Sequence, residues 1–167
     1  YQQYQQGQLD IDEYLSFALA PMAGMTPETL SALQDKFLKK HVEPILLDAA
    51  FDLLQAHRVN GDTLIIITAT NTLVTQPIAD RLGVEHLIGC EAELKDGRYT
   101  GKPEGVPSFG EGKVQRIKTW CAEHQILFED AVFYSDSHND LPLLRKVARA
   151  IAVDPDDLLR VEAQQCG

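Results

Sequence analysis

The stretch DAVFYSDSHNDLPLL, residues 130–144, decides how the rest of the chain is read. Its first six residues form a short apolar run with aromatic and β-branched side chains, as in a strand buried in a parallel sheet. LPLLRKVA, which begins at Leu141, reads as a helix with proline in its first turn. Between strand and helix, Asp136 and Asp140 stand four residues apart around Ser-His-Asn, with no lysine or arginine between them. Spacing alone leaves two readings open. One is a turn carboxylate plus a helix cap, Asp140 standing where a capping residue would. The other is a magnesium site, since magnesium takes one or two carboxylates, keeps several waters and shares a substrate phosphate oxygen.

Working outward, TLIIIT (63–68) and RAIAV (149–153) repeat the pattern of a buried strand. Helices are expected over residues 72–82, stopped by Gly83, and from Lys113 to about residue 124. HLIGCEAEL and RYTG flank Lys95-Asp96-Gly97, where Asp-Gly marks a tight hairpin turn. This alternation of strand and helix predicts an α/β fold: a Rossmann-like parallel sheet with helices on both faces. Ligands in such sheets sit beyond the carboxyl ends of the strands, so Thr68 and Asp136 are expected at one crevice.

Residues before Asn60-Gly61-Asp62, a turn signal, read as helical. Asp10 and Glu13 resemble a capping box before Leu15, Phe17 and Leu19. Thr26-Pro27-Glu28 is a second helix start, followed by Leu30, Leu33, Phe37 and Leu38 at helical spacing. Pro44 interrupts, and Ile45, Leu46, Ala49, Ala50, Leu53 and Leu54 begin another stripe. The expected division is a small N-terminal helical cap subdomain, residues 1–58, and an α/β core domain, residues 59–167.

Length and composition bound what this architecture can serve. The 167 residues suffice for one core with a small appendage, and 44 % hydrophobic with 24 % charged residues is ordinary for a globular domain. A net charge of −10 argues against a nucleic-acid or anionic-membrane partner, which needs clustered lysine and arginine. Cys90, Cys121 and Cys166 are odd in number and widely spaced, which reads as reduced thiols in a cytoplasmic protein. No apolar run approaches the roughly 18 residues of a membrane span.

Several side chains have a bland reading beside a functional one. Thr68 finishes a β-branched strand, or its hydroxyl, with the Ala69 N–H behind it, donates to a phosphate oxygen. Lys113 is a solvated surface lysine, or it neutralises phosphate charge from a helix start where a cation is otherwise mildly unfavourable. No histidine–carboxylate relay is evident for Ser135 or Ser137. His138 reads as a surface residue or substrate contact before a general base. Lys36, Lys39, Lys40 and His41 read as a solvated face, and Trp120 and Cys121 as packing.

Taken together, the order of the motifs is informative. Ile-Ile-Ile-Thr-Ala-Thr, then a Gly-Lys helix start, then Tyr-Ser-Asp-Ser-His-Asn-Asp-Leu resembles the haloacid dehalogenase superfamily, in particular its phosphoserine-phosphatase-like branch. The resemblance implies a magnesium-dependent phosphatase that hydrolyses a small-molecule phosphomonoester through an aspartyl-phosphate. It implies that Thr68 and the Ala69 amide bind the phosphate. Lys113 would stabilise phosphate and nucleophile, Asp136 would ligate Mg2+, Asn139 would lie near the phosphate, and Asp140 would complete the acidic metal loop. The family's first motif, a buried strand ending in Asp-x-Asp that supplies nucleophile and general acid/base, has no good match here. LDID (9–12) has the spacing but follows YQQYQQGQ, which is no buried strand. The expectation is therefore an upstream segment carrying that strand, without which residues 1–167 would be inactive and two strands would lack a neighbour unless one is borrowed from another copy. The rival is a non-catalytic metal- or phosphate-binding chain that acts through a partner.

Overall fold

The computed structural model describes residues 9–166, arranged as two compact units: residues 10–107, and a second unit built from Ser108 onward. YQQYQQGQ lies outside the described residues.

The first unit opens with α1 (Ile11–Leu19). Asp10 caps it, one carboxylate oxygen accepting from the N–H groups of Asp12 and Glu13 at 3.0 Å each, so LDID is a helix start and not a strand end. Leu15 and Leu19, four apart, are fully buried, whereas Phe17, counted above among the apolar stripe, is 80 % exposed because it falls on the opposite side of the turn. Thr26 caps α2 (Pro27–Phe37) through Thr29 N–H, and Leu30 is buried while Leu33 and Phe37 are not. The interruption at Pro44 takes the form of a π-helical turn, Leu38–Val42, and a 3₁₀ turn, Glu43–Ile45. Helix α3 (Asp48–Val59) starts only after them, so Ile45 and Leu46 precede the helix they were expected to open.

Three strands follow: β1 (Ile65–Asn71), β2 (His86–Lys95) and β3 (Arg98–Glu104), in the order β1-β2-β3. Helix α4 (Thr72–Leu82) joins β1 to β2, capped by the Asn71 side chain and ended by Gly83 at φ 65°. β1 and β2 are parallel, with Ile65 opposite His86 and Ile67 opposite Ile88. β2 and β3 form the expected hairpin, its turn residues Asp96 and Gly97 both at positive φ (51° and 72°), which a tight two-residue turn requires. Leu19, Leu30 and Leu73 make the core, with Met22, Met25, Ala92 and Tyr99 packed against it. Backbone bonds from Tyr99 N–H to Met25 O (2.9 Å) and Gly24 N–H to Tyr99 O (2.8 Å) tie the hairpin to the loop before α2.

β1 differs from the expected strand in two respects. It continues three residues past Thr68, and its residues are half-buried up to Asn71 instead of enclosed on both faces. Regular pairing stops after Ile67, where the register shifts. The Thr68 hydroxyl accepts the Thr70 N–H at 3.1 Å, a local bond that competes with the ladder. As the terminal strand of its sheet, β1 also keeps one edge uncovered by β2 or β3.

The second unit contains α5 (Glu111–Glu123), β4 (Val132–Ser135), the single-turn α6 (Leu141–Leu144), β5 (Arg149–Ala152) and α7 (Asp157–Cys166). β4 and β5 are parallel, in register from Val132 opposite Arg149 to Ser135 opposite Ala152. Val114, Ile117 and Cys121 bury one face of α5, and Trp120 stacks on His124 with ring centroids 3.9 Å apart, the packing roles expected of Trp120 and Cys121. Helix α6 is shorter than the eight-residue LPLLRKVA run suggests, because Arg145 already closes it as the C-terminal cap. Parallel strand pairing with intervening helices in both units bears out the α/β class. Among the described residues, no helix is long and apolar enough to cross a membrane.

Candidate active site

The loop after β4 carries Asp136, Ser137, His138, Asn139 and Asp140. Lys113, the third residue of α5, is only 5 % exposed, and its Nζ donates to Asp140 Oδ1 at 2.5 Å. The surface-lysine reading is thereby overturned. Ser135 Oγ donates to the other Asp140 oxygen at 2.7 Å, so the Asp140 carboxylate is bracketed by a cation and a hydroxyl. Asp140 occupies the cap position of α6 but makes no capping bond; its side chain turns to Lys113 instead. Withdrawing both charges from water costs several kcal/mol per ion, which only close geometry and further hydrogen bonds offset. Lys113, Asp140 and Ser135 therefore stand or fall together.

Asp136 is arranged in the opposite way. It follows β4 directly, it is exposed, and among the described residues its carboxylate takes part in no hydrogen bond or ion pair. Its backbone is held, since Asp136 O accepts the Asp156 N–H at 2.8 Å. Ser137 accepts from both the N–H and the side-chain amide of Asn139 (3.2 and 3.4 Å), which shapes the turn His138–Asp140. His138 is largely buried, with Nδ1 2.7 Å from Asp156 Oδ2, and so serves the loop's structure. Burial would raise the Asp156 carboxyl, but the Leu159 N–H, the His138 N–H and the His138 ring together outweigh it and hold Asp156 below the ordinary aspartate range.

Thr68 and Ala69 belong to the other unit. The Thr68 oxygen accepts from Thr70 N–H, which leaves its own proton to donate to a ligand oxygen. The junction of β1 with α4 is tied by Thr72 Oγ1 donating to Glu91 Oε2 at 2.9 Å and Thr75 Oγ1 to Asn71 O at 3.1 Å. β2 passes it closely: a Cβ on Gly89 would lie 2.8 Å from Thr72 Cγ2 and 3.0 Å from Thr70 O, so no side chain fits there. The basic residues Lys36, Lys39, Lys40 and His41 are all exposed, as a solvated face should be.

The donor chemistry suits a hard cation in one respect. Asp136 offers an uncommitted oxygen ligand at the end of a strand. Among the described residues no three His, Cys, Asp or Glu side chains gather as a metal cluster.

Residues 3–145 match the model of the haloacid dehalogenase-like hydrolase family. The chain belongs to that family. A histidinol-phosphatase of Neisseria meningitidis serogroup C is 40 % identical over 171 aligned positions, covering 100 % of this chain and 77 % of the relative. Phosphoserine phosphatase SerB1 of Mycobacterium tuberculosis is 33 % identical over 90 % of this chain but only 49 % of its own length. The chain thus spans about half the length of that relative and about three quarters of the first. A Bordetella pertussis protein of unknown function has a crystal structure that superposes with a TM-score of 0.93 at 41 % identity, covering 99 % of this chain and 76 % of that one. The phospho-aspartyl intermediate analogue of a phosphoserine phosphatase superposes with a TM-score of 0.70 over 96 % of this chain and 74 % of its own, which at 18 % identity shows the shared fold. This dehalogenase-like hydrolase thus sits in the phosphoserine-phosphatase-like branch.

Two residues that hold this hydrolase's acidic loop do not stand out in the sequence. Ser135 reads there as a nucleophile candidate without a relay, whereas it anchors Asp140. Asp156, the other, bonds the His138 N–H. The signal for it was the Asp-Pro-Asp that follows the RAIAV strand, at the same end as Asp136 of the neighbouring parallel strand.

Proposed function

We propose that the protein is a magnesium-dependent phosphatase that hydrolyses a small-molecule phosphomonoester through an aspartyl-phosphate intermediate. The observation that carries this reading is the buried Lys113–Asp140–Ser135 cluster beside an exposed, uncommitted Asp136. The first group fixes a cation; the second leaves a carboxylate for a metal. The names of the relatives support a phosphorylated amino acid or amino alcohol as substrate, and histidinol phosphate is the first compound to try. A cytoplasmic location fits the reduced-thiol reading.

In this reading the Lys113 ammonium and Asn139 meet the transferring phosphate, and the Thr68 hydroxyl and the Ala69 N–H are assigned to phosphate binding. Asp140 keeps Lys113 aimed, and we assign it that role ahead of direct metal ligation because both its oxygens are engaged. Asp136 would hold the magnesium ion, which when bound supplies positive charge to the phosphate oxygens. The nucleophile and the acid/base aspartate would be those of the family's first motif. Lys113 balances charge that builds on the equatorial oxygens as the ester oxygen departs and the aspartyl-phosphate forms.

The test is release of inorganic phosphate from histidinol phosphate and O-phosphoserine by the full natural chain, with magnesium and with EDTA. Turnover with magnesium, lost in EDTA and lowered about 100-fold or more by Asp136→Asn, is expected. No release from any phosphomonoester at saturating magnesium would reject the reading in favour of a binding chain.

A further inference from the structure

We infer that Asp156 is a positioning residue for this reaction: a carboxylate outside the acidic loop that clasps it from the neighbouring strand and fixes how Asp136 is presented. The inference rests on the phosphatase reading above.

Asp156 lies four residues past the end of β5, and β5 runs parallel to β4. The ladder continues past the end of β5, Val153 N–H bonding to Ser135 O at 3.0 Å, so the two chain segments leave the sheet side by side. Asp156 then contacts the acidic loop at two points on either side of Ser137. Its N–H donates to Asp136 O at 2.8 Å. Its Oδ2 accepts the His138 N–H at 2.8 Å and meets His138 Nδ1 at 2.7 Å. The remaining oxygen, Oδ1, accepts the Leu159 N–H at 2.8 Å, in the manner of a cap on α7.

A helix cap needs one acceptor oxygen. Here the second oxygen is spent on another segment of chain, 18 residues earlier, on a backbone amide two residues from Asp136. That arrangement has a physical purpose. An exposed carboxylate with no partner of its own is oriented only by its backbone, and a loop between strand and short helix would otherwise sample several conformations. Tying residue 136 by its carbonyl and residue 138 by its amide to one rigid point removes that freedom before any ligand arrives. Lys113 and Ser135 do the same from the other end of the loop by holding Asp140. The loop is thus pinned at both ends, with Asp136 left outward.

Asp156→Ser separates the two roles, because a serine hydroxyl still caps α7 but no longer reaches the loop with a second oxygen. Asp10→Ala, which removes the cap of α1 in the other unit, is the control for a plain lost cap. Three quantities are measured on the full natural chain: phosphate release as kcat and KM, the magnesium concentration at half-maximal rate, and amide hydrogen exchange over residues 136–140. Asp156→Ser is expected to lower kcat about ten-fold or more and raise the half-saturating magnesium by a similar factor, as loss of an outer-shell partner does. KM for the ester should move less than about two-fold, and exchange at the His138 amide should rise at least ten-fold. Asp10→Ala should leave all of these unchanged. An Asp156→Ser protein that is folded and matches the parent in kcat, magnesium dependence and exchange overturns the clasp and leaves the phosphatase reading intact. If the parent releases no phosphate while Asp156→Ser still loosens the loop, the phosphatase reading fails and with it the catalytic purpose assigned to Asp156.

Discussion

The ends of β1 and β4 are built on different principles. After β4, side chains from distant parts of the chain hold the loop: Lys113 is 27 residues from Asp140, and Asp156 is 18 from His138. After β1, local bonds between neutral groups recur, Thr68 with Thr70, Asn71 with Val74 and Thr75 with Asn71, and the longer-range ties, Thr72 to Glu91 and Gln34 to Leu73 O, include no ion pair. The first arrangement is needed where charge must be concentrated, because a buried lysine and aspartate are tolerated only when each is fixed against the other. The second suffices around a neutral hydroxyl and a backbone N–H, since neither carries a large desolvation cost.

This contrast predicts a graded series of effects. Lys113→Met should be the most severe substitution, lowering turnover by roughly 100-fold or more and stability by about 3–5 kcal/mol, because Asp140 is left charged and unpaired in a buried site; steady-state kinetics and urea unfolding read both. Ser135→Ala removes one hydrogen bond to a charged acceptor and should cost about 1.5–3 kcal/mol in the same unfolding assay. Thr68→Ala should separate the two quantities the other way, lowering turnover about ten-fold while stability changes by no more than about 1 kcal/mol. Thr68→Ser, which keeps the hydroxyl, should restore most of the rate. A loss of stability at Thr68 as large as that at Lys113 would break the contrast. Smallest of all, Gly83→Ala should cost about 1 kcal/mol with no change in kcat, from the positive φ at the end of α4 and the approach of Arg58 Nη2 to the added methyl.

Much of this was legible in the sequence where local chemistry decides the outcome. Thr26-Pro27, Asn60-Gly61, Asp96-Gly97 and Gly83 each mark a cap or turn by residue type, and the helix over 72–82 was bounded correctly. Apolar runs identified β1, β4 and β5. What was not legible depends on long-range contact. Nothing near Lys113 in the chain indicates that it is buried against Asp140. Nothing in Asp-Pro-Asp by itself says that one carboxylate reaches back to residue 138. Phe17 and the half-buried isoleucines of β1 show the same limit from the apolar side, since burial depends on which neighbours cover a face and not on hydrophobicity alone. The LDID segment was the reverse case, where local capping logic outweighed an attractive motif spacing and agreed with the geometry.

The central claim is that Lys113 and Asp140 act as one unit in phosphate ester hydrolysis. A double-mutant cycle tests it directly: kcat for phosphate release by the parent, Lys113→Met, Asp140→Asn and the double variant, all as the full natural chain. Residues that work as a unit are strongly non-additive, so each single variant should lose nearly as much rate as the double. Losses that multiply, with the double variant slower by the product of the two single effects, would contradict the account and make the pair two independent contributors.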